Sequence, residues 1–330
     1  MENFVVSARK YRPADFKSVV GQQHITTTLQ NAIKNNHLAQ AFLFCGPRGV
    51  GKTTCARILA KTINCESITK DFEACGKCES CVSFQNNASF NVYELDAASN
   101  NSVDDIRHLV DQVRYAPQKG QYKVYIIDEV HMLSTSAFNA LLKTLEEPPE
   151  HVKFIFATTE IRKVPVTVLS RCQRFDLKRI EPEVMLAHLA RIAALEGASL
   201  APDAMALITR AAEGSVRDAM SLMDQAIAHG AGETTAEQVR AMLGLADRGR
   251  VLDLFDMILK GEAAEALTEL SSQYADGADP MAVLRDLAEI THWISVIKIT
   301  PDAADDPTVP PDEQARGQVM AQAIPMRVLT

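Results

Sequence analysis

The chain has 330 residues, 47% of them hydrophobic, and a net charge of −8; it is too long for one ordinary domain and sufficient for two or three. Its apolar runs, such as Val124 to Ile127, are short and flanked by charge, so none reaches the ~20 residues that span a bilayer. Met1 to Arg9 lacks the basic start and unbroken apolar core of a signal peptide, so no membrane association is expected and the expected compartment is the cytoplasm. Charge is uneven: residues 1–180 hold 23 Lys+Arg against 18 Asp+Glu, and residues 181–330 hold 11 against 24. The first part can meet phosphates, whereas the acidic remainder repels them. All 11 Asn lie before residue 181, and Ala rises from 15 to 29 after it, which marks a domain boundary.

In chain order, predicted strands at Ala41–Phe44, Val92–Leu95, Val124–Ile127, Phe154–Ala157 and Arg174–Leu177 alternate with helices such as Lys52–Ile63 and Ala137–Glu147, the latter stopped by Pro148 and Pro149. This alternation is the pattern of a parallel sheet with helices on both faces. From Glu183 onward the periodicity is helical throughout, with breaks at glycines. The fold class is therefore α/β followed by all-α. The expected divisions are 1–180 with an insertion at about 64–82, 181–243, and 244–330. Pro301 to Glu313 reads as an exposed linker, and the last domain is expected to be incomplete at Thr330.

The strongest chemical signal is Gly46-Pro47-Arg48-Gly49-Val50-Gly51-Lys52-Thr53 between a buried strand and a helix. Its glycines let backbone amides turn around phosphate oxygens, Lys52 neutralises β and γ charges, and the Thr53 hydroxyl ligates Mg²⁺. Gly46, Gly49, Val50, Gly51, Lys52, Thr53 and Thr54 are the expected phosphate contacts. Downstream, the strand Val124–Ile127 ends in Asp128 and Glu129. There Asp128 can hold the metal through its water shell and Glu129 can polarise the water that attacks a γ-phosphate. His131 follows the pair, and we read it as shaping the helix start or relaying nucleotide state, since Glu129 already serves as base.

Cys65, Cys75, Cys78 and Cys81 are spaced Cys-x9-Cys-x2-Cys-x2-Cys. In a reducing cytoplasm this set fits four thiolates around one tetrahedral, structural Zn²⁺ better than disulfides. Cys45, Cys55 and Cys172 read as small core residues.

Asp128-Glu129-Val130-His131, followed by Ala140-Leu141-Leu142-Lys143-Thr144-Leu145-Glu146-Glu147-Pro148-Pro149, resembles the clamp-loader branch of AAA+ ATPases, and closely the gamma/tau family of bacterial DNA polymerase III. The likeness runs from Tyr11-Arg12-Pro13 to about residue 245, and more weakly beyond. It implies a Rossmann-like P-loop ATPase domain, a helical lid, and a helical collar that joins clamp-loader subunits into a ring-like pentamer. The same cysteine spacing occurs in this family.

Further roles rest on the resemblance. Thr158 and Thr159 sit where the family's sensor 1 feels the γ-phosphate. Arg171, in Ser170-Arg171-Cys172, corresponds to an arginine that reaches a neighbour's ATP site, a role worth ~10³-fold or more in rate; taken bare it is one guanidinium in a basic stretch. Arg217 corresponds to sensor 2, which touches ATP from the lid. Tyr11, Arg12, Pro13 and Phe16, then Val19, Val20, Gly21 and Gln22, look like the adenine-lining segment. The implied partners are the sliding clamp and primer-template DNA. Ser99 to Ser102 precede a helix near Val103 whose free N-terminal amides are able to hold a DNA phosphate. ATP binding would close the subunits into a spiral that opens the clamp and grips primed DNA, and hydrolysis would release both. A branch-migration helicase or replication initiator would instead carry a winged helix near the C-terminus, and a non-catalytic scaffold would lack the lysine or the acid pair. Nothing resembles a polymerase carboxylate site.

Overall fold

Short apolar runs separated by helices bury both faces of a sheet only when helices cover both sides. The computed structural model describes residues 6–117, 121–229, 232–244, 248–300, 309 and 311–329. The runs form β1 (Ala41–Cys45), β2 (Val92–Asp96), β3 (Lys123–Asp128), β4 (Val152–Thr158) and β5 (Gln173–Asp176). All pairings are parallel, in the order β2-β3-β4-β1-β5. Between and before them lie α1 (Ser7–Lys10), α2 (Gln23–Lys34), α3 (Lys52–Ile63), α4 (Glu79–Gln85), α5 (Val103–Val113), α6 (Thr135–Glu146) and α7 (Val166–Leu169).

Every residue of β1 and β4 is buried, and successive side chains feed opposite cores. Leu43, Tyr125, Ile127, Phe154 and Phe156 pack with Ile106, Leu109, Phe138 and Leu141 of α5 and α6. Phe42, Phe44, Ile126 and Ile155 pack with Ile25, Leu29, Ile58 and Leu59 of α2 and α3. Each fully buried side chain of this kind contributes about 2–3 kcal/mol. The register aligns the carboxyl ends: Cys45 pairs with Thr158 and with Asp176, and Asp96 with Asp128. In open parallel sheets ligands bind at that edge.

The described residues form two compact units, 1–181 with 215–218, and 182–214 with 219–330. Within the second, α8 (Pro182–Glu196), α9 (Pro202–Ala211), α10 (Val216–His229) and α11 (Ala236–Leu243) precede α12 (Arg248–Lys260), α13 (Ala263–Ala275), α14 (Pro280–Ile299), α15 (Pro311–Ala323) and α16 (Met326–Leu329); the first residues of α10 cluster with the first unit. Val251, Phe255, Ile290 and Ile294 centre the core of the last five helices. There the Arg248 guanidinium lies 5.4 Å from the Trp293 ring centroid and forms a 3.2 Å ion pair with Glu313 that lacks hydrogen-bond geometry. The expected exposed linker at Pro301 to Glu313 falls mostly outside the described residues, and its described part departs from that reading: Val309 and Glu313 are buried and α15 already begins at Pro311. Among the described residues no helix is long and apolar enough to cross a membrane.

Candidate nucleotide site and metal centre

The turn from β1 into α3 is a tight glycine loop. Gly51 occupies the cap position of α3 at φ 104°, and Gly49 has φ 74°, conformations that side chains rarely adopt. A Cβ at Gly49 would lie 1.9 Å from Ser215 Oγ, so only glycine lets residues 215–217 approach. Val50 is buried beneath the loop. Lys52 is 5% exposed and its Nζ donates to Pro47 O at 2.8 Å. Burial pulls its ammonium below the ordinary lysine value, against the upward pull of Glu129 and Asp128.

The Thr53 hydroxyl donates to Asp128 Oδ2 at 2.5 Å, and Asp128 Oδ1 accepts the Glu129 amide at 2.9 Å. The two hard oxygen donors suited to magnesium therefore lie side by side. Glu129 takes a left-handed backbone, φ 46°, and its Oε2 accepts from the Thr159 hydroxyl at 3.1 Å and from the Thr159 amide at 3.3 Å. The His131 Nδ1 is 3.0 Å from Thr158 Oγ1 and 3.4 Å from Glu129 Oε2, while its Nε2 is 3.4 Å from Glu160 Oε1. His131 thus bridges the end of β3 to the end of β4. The sequence carried no signal for the Thr159–Glu129 contact, because 30 residues separate the two.

Arg12 Nε donates to Thr54 Oγ1 at 3.3 Å, and Arg12 also feels the charges of Arg57, Glu94, Asp128 and Arg217. Tyr11, Pro13 and Val20 are half-buried, and Phe16 is buried. Gln22, fully buried, donates from Nε2 to Lys178 O at 2.7 Å and accepts the Lys178 amide at 3.3 Å, tying this segment to the residues after β5. The Arg217 amide donates to Gly49 O at 3.3 Å, so the start of α10 touches the glycine loop. Arg171 has other hydrogen-bond partners. Its Nη1 donates to Thr167 O at 2.6 Å and to Ser170 Oγ at 3.3 Å, and its Nη2 to Glu146 Oε1 at 2.7 Å.

The four cysteine sulfurs lie within 4.8 Å of one another, with Cys65 and Cys78 at 4.0 Å. Zinc–sulfur bonds of about 2.3 Å in a tetrahedron need sulfurs about 3.8 Å apart, so the set fits. Amides also point at sulfur: Cys75 N–H to Cys65 Sγ at 3.2 Å, Cys78 N–H to Cys75 Sγ at 3.3 Å and Cys81 N–H to Cys78 Sγ at 3.4 Å. The Lys77 and Cys78 amides lower the Cys75 thiol to about 6, whereas burial raises Cys65 and Cys81. Outside this set, burial pushes Cys45 to about 11 and Cys55 and Cys172 to about 12, which makes them poor nucleophiles.

The helix N-terminus after Ser99 to Ser102 departs from expectation. Ser102 and Asp105 form a capping box, with the Asp105 amide donating to Ser102 Oγ at 3.2 Å, and Asp104 and Asp105 occupy the first turn. The helix's own acids take the place expected for a phosphate.

Three DNA polymerase III families match in succession: the delta subunit over residues 21–181, the clamp loader subunit ATPase lid domain over 185–232, and domain III of subunits gamma and tau over 234–330. DNA polymerase III subunit tau of Escherichia coli (strain K12) is 45% identical over 302 residues, 91% of this chain and 47% of that protein. Subunit tau of Bacillus subtilis (strain 168) is 46% identical, covering 84% and 49%. The chain spans about half the length of these two relatives. Subunit gamma of Buchnera aphidicola subsp. Baizongia pistaciae (strain Bp) is 40% identical, covering 91% of this chain and 80% of that protein. The Thermotoga maritima RuvB Holliday junction branch migration motor has a similar fold, with TM-score 0.54 and 18% identity over 77% of this chain and 80% of that one. With a glycine loop and an acid pair at the carboxyl edge of a parallel sheet, and with relatives matched along nearly its whole length, the chain belongs to the gamma/tau family of bacterial DNA polymerase III subunits.

Proposed function

We propose that this chain is an ATP-hydrolysing motor subunit of a sliding-clamp loader, acting in the cytoplasm with other clamp-loader subunits on a ring-shaped clamp and primer-template DNA. The observation that carries the proposal is the meeting of Lys52, Thr53 and Asp128 at one end of the sheet, with Glu129 and Thr158 beside them. In this reading the glycine-loop amides and Lys52 bind the β- and γ-phosphates, and Thr158 senses the γ-phosphate. Thr53 and Asp128 would hold Mg²⁺, which when bound neutralises charge on the transferred phosphoryl group. Glu129 accepts a proton from the attacking water once it leaves Thr159. Arg217 contacts the nucleotide within the subunit, and Arg171 serves the pocket of a neighbour. The functional divisions follow as a 1–180 ATPase domain, a 181–243 lid and a 244–330 collar, with a structural Zn²⁺ on the four cysteines.

ATP turnover measured alone, with the clamp, and with clamp plus primed DNA tests this reading. A low basal rate that rises several-fold only when both are present supports it. A rate indifferent to clamp and DNA removes the clamp-loader assignment and leaves a bare ATPase.

A further inference from the structure

The loop between Cys65 and Cys75 does more than present sulfur. At its tip the Thr69 amide donates to Glu73 O at 2.9 Å, the Phe72 amide to Thr69 O at 3.0 Å and the Glu73 amide to Thr69 Oγ1 at 3.1 Å. Phe72 is held at φ 58°, a left-handed conformation that is unfavourable for a residue other than glycine and persists only where its surroundings enforce it. This strained turn drives Glu73, 6% exposed, into the segment before α2. There Glu73 Oε2 accepts the Phe16 amide at 3.0 Å, and Oε1 accepts Gln30 Nε2 at 3.0 Å. Gln30 Nε2 also donates to Asp71 O at 3.1 Å, and Lys17 pairs with Asp71. A carboxylate buried this deeply needs those donors, so the contact holds the loop and the segment in one arrangement.

The same segment is fixed on its other side to the helix that follows the glycine loop. Arg12 Nε donates to Thr54 Oγ1 at 3.3 Å, and Lys61 Nζ donates to Ala14 O at 3.2 Å. Residues 12–17 are therefore pinned between α3 and the cysteine loop. The loop in turn is closed by four sulfurs at one point, an arrangement that a bound ion stabilises and that loosens when the ion leaves.

We propose that the cysteine loop clamps the nucleotide pocket: closed on its metal, it acts through Glu73 as a positioning residue that holds residues 12–17 in place for the adenine end of ATP. The inference rests on the reading above that this segment lines the adenine pocket.

The test measures binding of a fluorescent ATP analogue and of inorganic tripolyphosphate, which engages the glycine loop without a base. Glu73→Ala keeps all four cysteines and is expected to retain its zinc. It should weaken the ATP analogue about tenfold, the equivalent of one charge-assisted hydrogen bond, and leave tripolyphosphate unchanged. Stripping zinc from the wild-type chain with a zinc-selective chelator should produce the same selective loss, restored by zinc, and should add nothing to Glu73→Ala. The proposal is overturned if zinc-loaded Glu73→Ala binds the analogue as wild type does, or if both ligands weaken in parallel, as general loosening would cause. Should Glu73→Ala not fold, the wild-type chelation decides, and an affinity unchanged by stripping and restoring zinc overturns it. Failure of the nucleotide-site reading looks different: neither ligand binds the untreated wild-type chain, and both inferences fall.

Discussion

Lys52 shows how far a single side chain is prepared for an anion. Its ammonium is buried, is already bonded to Pro47 O, and is shifted toward losing its proton by desolvation; a phosphate would restore what burial removes. Lys52→Ala should weaken a fluorescent ATP analogue roughly 100-fold, as expected for losing a charge-assisted bond in a sheltered site. Unchanged affinity would place the phosphates elsewhere. Glu129 is prepared differently. Two Thr159 donors converge on one carboxylate oxygen, so those contacts must break before that oxygen can meet a water.

At the scale of elements, the cysteine loop and the end of α6 each set local propensity against tertiary contact. The last turn of α6 reaches Glu146, with Glu147 at its cap, where negative charge opposes the helix dipole. Arg171 offsets this by pairing with Glu146 while also donating to the Thr167 carbonyl of α7 and to the Ser170 hydroxyl. The cysteine loop brings its four sulfurs to one point, where a bound zinc would hold it closed. Metal analysis should give about one zinc per chain, and zinc removal should speed hydrogen exchange at amides 65–81 more than in β1, β3 and β4. A sample without zinc and with four titratable thiols in the loop would rule out the metal assignment.

At the scale of the whole molecule, the proposal that Arg171 serves a neighbour's pocket makes demands on the assembly that one chain does not. Arg171→Ala should leave ATP affinity nearly intact and cut turnover in the assembled complex by about 10³-fold, because the charge it meets builds up in the transition state. Mixing gives the sharper result. A Lys52→Ala chain keeps its arginine with a dead pocket, and an Arg171→Ala chain keeps its pocket without the arginine. Each should be inactive alone, yet turnover should partly return when they co-assemble. Verified co-assembly without turnover, beside full activity of isolated wild-type monomers, would refute action in trans.

Local order determined much of this. The alternation of apolar runs and helical periods specified the parallel sheet and the helical remainder, most firmly at β1, β3 and β4, because a strand buried on both faces must be apolar along its length, whereas the edge strands β2 and β5 are largely unburied. The helix Lys52–Ile63 was legible to the residue, since glycine and lysine fix where it starts. The glycine loop and the cysteine spacing are contiguous, so their chemistry can be read without a fold. What the sequence left open was which distant groups meet. It named Glu129 and Thr159 without their bond, and Arg171 without Glu146. It gave no sign that Glu73 reaches Phe16 across 57 residues. It also read the start of α5 as open to phosphate, where Ser102 and Asp105 close it. Those outcomes belong to tertiary structure alone, because a hydrogen bond depends on distance and direction in space, and sequence separation specifies neither.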